Sequence, residues 1–164
     1  MLTKKICLLG DFSVGKTSLF RRFISNTFSD QYITTVGVKV ESKVVKLSPE
    51  EEVKLLVWDV AGSAQMSSVS RSYVQGAGGY LLVADGTRPE TLKAALGLKD
   101  EMDATLGRLP FVGLLNKVDL HDEWQVSGDF IDHNPDWMLS SALTGENVDE
   151  AFVQLTRKMV ENGD

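Results

Sequence analysis

Apolar positions fall into short unbroken runs separated by longer stretches with a helical period. Ile6-Cys7-Leu8-Leu9 is apolar without interruption, the pattern of a strand covered on both faces. It runs into Gly10 and then a segment from about Lys16 to Ser25, where Leu19, Phe20, Phe23 and Ile24 recur at helical spacing. Val36 to Lys46 and Val53 to Trp58 flank Leu47-Ser48-Pro49-Glu50, which predicts a β-hairpin with a longer loop. Gly79 to Asp85 reads as another buried strand. A helix from about Pro89 to Leu106 follows, with Pro89 in a first-turn position where its missing N–H costs nothing. Phe111 to Leu115 is the next strand. His121 to Pro135 is weakly periodic and broken by Gly128 and Pro135, so it predicts at most a short helix. Trp137-Met138-Leu139 closes the strands. Val148 to Val160 is a final amphipathic helix with Val148, Ala151, Phe152, Leu155 and Met159 on one face.

Strands alternating with helices predict an α/β fold, a mostly parallel six-stranded sheet with helices on both faces and one antiparallel edge strand. Ligands of such sheets sit beyond the carboxyl ends of the strands. The length of 164 residues fits a single domain over 1–164. With 43% hydrophobic and 24% charged residues and only 4 Pro, the chain is neither disordered nor collagen-like. Seventeen Lys+Arg against 23 Asp+Glu leave a net charge of −6, which argues against nucleic acid as a partner and requires any phosphate to be held locally. The single cysteine, Cys7, rules out an internal disulfide, suits a reducing compartment, and reads as an apolar filler rather than a reactive thiol. No signal sequence, 18-residue apolar stretch, N-myristoylation site or prenylatable terminal Cys appears as written. The expectation is a cytoplasmic monomer with no direct lipid anchor in this sequence, brought to membranes only by a partner. His121 and His133 lack companions at metal-ligand spacing and read as surface loop residues.

The chemistry concentrates at strand ends. Gly10-Asp11-Phe12-Ser13-Val14-Gly15-Lys16-Thr17 matches G-x-x-x-x-G-K-[ST] between a predicted strand and helix. Glycines let successive N–H groups turn inward around phosphate oxygens, Lys16 adds a point charge, and the helix N-terminus adds its positive dipole end. The Thr17 hydroxyl would complete a Mg²⁺ shell. Asp59 and Gly62, at the end of Leu55 to Trp58, place a carboxylate where it can hold a Mg²⁺ water and a glycine N–H where it can approach a γ-phosphate. Asn116-Lys117-Val118-Asp119 ends the Phe111 strand. An aspartate there can accept both N1–H and N2–H of guanine, whereas adenine offers a lone pair at N1 and nothing at position 2. Asn116 and the Ala142 backbone N–H complete base recognition.

These motifs together resemble the Ras superfamily of small GTPases, most closely its Rab-type branch, over about residues 3–161. The resemblance implies the three-layer P-loop NTPase fold and a guanine-nucleotide switch that binds GTP and GDP with Mg²⁺. Its implied nucleotide contacts are Ser13, Val14, Gly15, Lys16, Thr17, Ser18, Phe28, Thr35, Gly62, Asn116, Lys117, Asp119, Ser141, Ala142 and Leu143. Tyr32 to Val38 is similar to the first switch of that branch. By that match Thr35 joins Thr17 and Asp59 as a metal residue, and Phe28 packs on guanine. Lys16, Thr35, Gly62 and Gln65 are the implied catalytic set. Val40, Trp58 and Tyr73 fall where Rab-like proteins carry an apolar triad read by effectors, although all three could equally be core.

The sequence also departs from that pattern. Ser63 stands where the family has the glutamine that orients the attacking water, and serine is too short to reach it from the same backbone. Gln65, two residues on, could substitute if the loop refolds. Phe12 replaces a small residue, either crowding the space an arginine finger needs or pointing into solvent or a partner. Both departures predict slow hydrolysis. The alternative reading is a hydrolysis-deficient, constitutively GTP-loaded interaction module. A P-loop kinase or ATPase leaves Asn116 and Asp119 unexplained. Leu143 replaces the usual lysine after Ser-Ala, keeping an apolar cover for the base but losing an ammonium group. Arg71 and Arg88 read as surface residues rather than internal arginine fingers.

Overall fold

A computed structural model describes residues 1–25, 38–63 and 65–163. The strands are β1 (Leu2–Gly10), β2 (Val38–Ser48), β3 (Glu51–Val60), β4 (Gly79–Asp85), β5 (Phe111–Asn116) and β6 (Trp137–Leu139). The helices are α1 (Lys16–Ser25), α2 (Ser68–Tyr73), α3 (Pro89–Leu106), α4 (Gly128–His133) and α5 (Val148–Gly163), with a 3₁₀ turn at His121–Glu123. The sheet order is β2-β3-β1-β4-β5-β6, with β2 antiparallel to β3 and every other pairing parallel. This is the mixed, doubly covered sheet that the hydrophobic pattern predicts.

Strand alternation divides the core into two layers. Ile6 and Leu8 of β1 and Leu81 and Val83 of β4 face α1 and α5, meeting Leu19, Phe20, Phe23, Phe152 and Leu155. Cys7 and Leu9 of β1 and Tyr80, Leu82 and Ala84 of β4 face the other way, toward Ala95, Leu98 and Met102 of α3. Both faces of β4 are therefore dry, and all seven of its residues are buried. Cys7 belongs to the second layer as a filler, and burial pushes its thiol pKa up to about 12, so it stays protonated.

Register brings the chemistry to one edge. Leu8 pairs with Asp59, Gly10 with Val83, and Asp85 with Asn116, so β1, β3, β4 and β5 end side by side.

Two elements differ from the sequence pattern. The hairpin turns at Pro49-Glu50, because the ladder continues to Ser48 and Glu51 through a register shift near Lys46, and the longer loop is absent. Glu51 and Glu52 are exposed at the start of β3, before its pairing with β1 begins at Val53, where solvent tolerates charges that periodicity counts as loop. The six-residue α2 is too short and serine-rich for a period to register, and Ser67 caps it by accepting from the Ser70 amide at 3.0 Å. The region His121 to Pro135 follows its broken periodicity, folding into only the 3₁₀ turn and the short α4. Val36 and Gly37, at the start of the predicted hairpin, lie outside the described residues.

Phe23 and Phe152 stack with ring centroids 3.6 Å apart, joining α1 to α5. Phe152→Ala is expected to cost about 3–5 kcal/mol by opening a cavity between these helices. Urea denaturation should read this as a lower midpoint with an unchanged slope.

Candidate functional site

The loop after β1 curls because two residues take left-handed backbone, Ser13 at φ 60° and Gly15 at φ 93°. Gly15 is also required for space, since a Cβ there would lie 2.2 Å from Asn116 Nδ2. The loop, with Gly62 across from it, lines a concavity of about 250 Å³ that contains Ser13, Val14, Gly15, Lys16, Thr17 and Ser18. Gly62 packs against the loop backbone, where a Cβ would lie 3.1 Å from the Asp11 carbonyl oxygen. The Ser63 amide donates to the Gly10 carbonyl at 2.9 Å, fixing that approach.

Beneath the concavity Lys16 and Asp59 form a buried ion pair, 6% and 3% exposed. The Thr17 hydroxyl donates to the other Asp59 oxygen at 3.0 Å. Isolated, either charge would be costly at this depth; paired and hydrogen-bonded, they are tolerated. Lys39, opposite Asp59 on β2, has a lowered pKa: burial is the main cause, Arg21 and Lys16 add repulsion, and Asp59 partly offsets them. A hydroxyl and a carboxylate are hard oxygen donors of the kind Mg²⁺ takes, with water and phosphate as its usual remaining ligands. No cluster of three or more His, Cys, Asp or Glu residues suited to a metal occurs among the described residues. The donor set therefore fits a cation held jointly with a phosphate ligand.

A second cavity of about 530 Å³ adjoins the first and is lined by Gly15, Ser18, Asn116, Lys117, Asp119, Ala142 and Leu143. Asn116 is the joint between the two. Its Nδ2 donates to the Val14 carbonyl at 2.9 Å, while its Oδ1 accepts from the Ser140 hydroxyl and the Ala142 amide, both at 3.2 Å. Ser141 is buried and donates its hydroxyl to Asp119 Oδ1 at 2.7 Å, holding that carboxylate at the cavity wall. Leu143 is 75% exposed and forms an open apolar rim.

Some predicted site residues are placed elsewhere. Phe28 and Thr35 lie outside the described residues. Gln65 is exposed and lines a groove with Glu90 and Lys93 of α3 and with Asp11, which also lines the phosphate-loop concavity; Gln65 itself is not among the residues lining that concavity. The Ser63 hydroxyl donates to the Gln65 carbonyl at 2.5 Å and accepts from the Gln65 amide at 3.2 Å. The Phe12 ring is 66% exposed, so the solvent-facing alternative describes it. Val40, Trp58 and Tyr73 converge as a half-buried patch: Val40 and Trp58 are cross-strand partners, and the Trp58 and Tyr73 rings lie 6.1 Å apart. Lys5 Nζ stands 3.8 Å over the Trp58 ring, and the buried Trp58 indole N–H lacks a hydrogen-bond partner among the described residues.

Sequence reasoning missed the support behind the loop. Asp85, 1% exposed at the end of β4, binds Arg88 Nε at 3.2 Å and Lys117 Nζ at 3.0 Å through one oxygen. Its other oxygen accepts from the Thr87 amide and hydroxyl at 2.8 and 2.6 Å. The only sequence signal was an aspartate ending a wholly apolar strand.

A phosphate-type loop at the end of β1, on a parallel sheet with helices on both faces, defines a P-loop nucleotide-binding protein. Residues 5–161 match the Ras family. The chain is 34% identical over 169 aligned positions to the Ras-related protein Rab-7L1 of Rattus norvegicus, covering 96% of this chain and 82% of that protein. It is 38% identical over 169 positions to the Ras-related protein Rab-4A of Homo sapiens, covering 98% of this chain and 77% of the relative. The chain belongs to the Ras family of small GTPases and is Rab-related, a GTP- and GDP-binding switch that hydrolyses GTP. No helix among the described residues is long and apolar enough to cross a membrane.

The Asp85 carboxyl has a lowered pKa: burial pushes it up, but the Thr87 hydrogen bonds, then those from Lys117 and Arg88, outweigh that. A lowered folded pKa stabilises above the ordinary carboxylate value of about 3.9 and loses that contribution as pH falls through the folded value. Asp85→Asn should therefore cost roughly 1–3 kcal/mol at pH 7. Its melting-temperature deficit should narrow only below about pH 4.

Proposed function

We propose that residues 1–164 act as one small-GTPase domain, a Mg²⁺-dependent guanine-nucleotide switch with slow intrinsic hydrolysis. The observation that carries this reading is the pairing of Lys16 and Thr17 on one buried carboxylate, Asp59, directly below the loop and beside the Asn116–Asp119 cavity. In this reading the amides of Ser13 to Ser18 and the Lys16 ammonium bind the phosphates. Thr17, Asp59 and Thr35 hold Mg²⁺, which when bound neutralises β- and γ-phosphate charge. Lys16 would bind phosphate oxygens and Asp59 would help hold the cation, the two groups that pair with each other in the structure. Asp119 reads the guanine edge, with the Ala142 amide and Asn116 beside it. Leu143 and Phe28 cover the ring.

The γ-phosphate tethers Thr35 and Gly62, and its loss releases both segments, which gives effectors two states to distinguish. Val40, Trp58 and Tyr73 are the effector surface in this reading. The partial exposure of all three side chains and their convergence, with the Trp58 and Tyr73 rings 6.1 Å apart, support a partner that supplies apolar contact.

Slow hydrolysis is supported by Ser63 in the water-orienting position and by the α3-side placement of Gln65. In this reading neither side chain aligns the attacking water. The expected unaided rate is roughly 10⁻⁴–10⁻³ s⁻¹ or lower.

Single-turnover phosphate release tests this directly. Ser63→Gln should accelerate it by about tenfold, equivalent to ~1.4 kcal/mol of barrier, and Gln65→Ala should leave it unchanged. Fast release by the unaltered protein refutes the slow switch. No detectable release, with GTP recovered from the purified protein, favours the permanently loaded interaction module. Asp119→Asn should move preference from guanine toward xanthine nucleotides in competition binding, because an amide donor now faces the position that carried N2–H.

A further inference from the structure

Three consecutive carbonyl oxygens of the phosphate loop are held from behind by three side chains. Arg88 Nη2 donates to the Phe12 carbonyl at 2.8 Å, Lys117 Nζ to the Ser13 carbonyl at 3.0 Å, and Asn116 Nδ2 to the Val14 carbonyl at 2.9 Å. Asn116 and Lys117 belong to a motif with a role in the reading above; Arg88 belongs to none. Across a planar trans peptide the carbonyl of one residue and the N–H of the next point in opposite directions. Holding the Phe12 carbonyl outward therefore turns the Ser13 amide inward, toward the concavity that the loop lines.

Arg88 is built to do this. Its Nε is fixed by Asp85 at 3.2 Å, leaving Nη2 of the same rigid plane aimed at Phe12. Asp85 is itself immobilised by Thr87 through its other oxygen. Arg88 occupies the N-cap of α3 in extended backbone, and the following proline at the first helical position restricts it there. The Phe12 ring is in solvent, so its own side chain does not anchor this peptide plane.

We propose that Arg88, aimed by Asp85, is a positioning residue for the phosphate loop, fixing the Phe12–Ser13 peptide so that the Ser13 amide faces the polyphosphate. The inference rests on the reading that this loop binds the phosphates of GTP and GDP. Arg88 touches no nucleotide and acts only through the backbone.

The test compares GDP release and the ³¹P spectrum of bound GDP in Arg88→Ala, Arg88→Lys and the unaltered protein, with Mg²⁺ present. Arg88→Ala should release GDP roughly tenfold faster, the scale of one charge-assisted hydrogen bond, and should shift a phosphorus resonance. Arg88→Lys should rescue only partly, because an ammonium cannot hold both acceptors in one plane. A lower melting temperature with unshifted phosphorus resonances and unchanged release assigns Arg88 a purely structural role and overturns the proposal. Full rescue by lysine also overturns it, since charge alone would then suffice. Lys16→Ala separates the two layers of argument. If it abolishes GDP binding while Arg88→Ala changes nothing, the phosphate-loop reading stands and the Arg88 proposal falls; if Lys16→Ala binds GDP normally, both fall.

Discussion

The carboxamide of Asn116 couples the two halves of the site. One end holds the Val14 carbonyl and the other gathers Ser140 and the Ala142 amide, so the loop after β1 and the loop after β6 share a single anchor. That anchor works only because Gly15 has no side chain, a Cβ there lying 2.2 Å from the same nitrogen. A buried amide with each end satisfied is rigid, whereas one left half-paired would cost more than an apolar residue. The phosphate-type cradle and the adjoining cavity are thereby kept in fixed relation, which a ligand spanning both requires.

The electrostatics follow a similar economy. The chain is net acidic by −6, yet the strand ends concentrate Lys16, Lys39, Arg88 and Lys117 around two buried carboxylates, Asp59 and Asp85. Asp59 takes the cation facing the concavity, and Asp85 takes the two cations behind the loop. The front carboxylate lies against the concavity, whereas the rear one has one oxygen held by the Thr87 amide and hydroxyl and the other by the Arg88 and Lys117 side chains, and serves as fixed support. This division lets a small acidic domain attract a polyanion at one point without a basic surface.

The second loop is held by short local contacts. The Ser63 hydroxyl bonds both the carbonyl and the amide of Gln65, whose side chain lines the groove beside α3. Glu101 of α3 then accepts from the Met66 amide at 3.1 Å and from Arg71 at 3.3 Å, extending the same fixation along the segment. A glutamine in the Ser63 position would have no comparable hydroxyl to close this turn.

Local sequence determined a good deal of this protein. Unbroken apolar runs set β1, β4 and β5 because strands dry on both faces admit nothing else, and helical spacing set α1, α3 and α5. The glycine-rich loop and the Asn116–Asp119 motif were legible because backbone left-handedness and hydrogen-bonding capacity belong to residue types. Short α2 and the tight hairpin turn were not, since six residues carry no period and a solvent-exposed strand end tolerates charge. Asp85 and Arg88 were illegible for a different reason. Their meaning lies in contacts with Phe12 and Lys117, distant along the chain, and only the parallel register that sets β4 between β1 and β5 brings those groups within hydrogen-bonding reach.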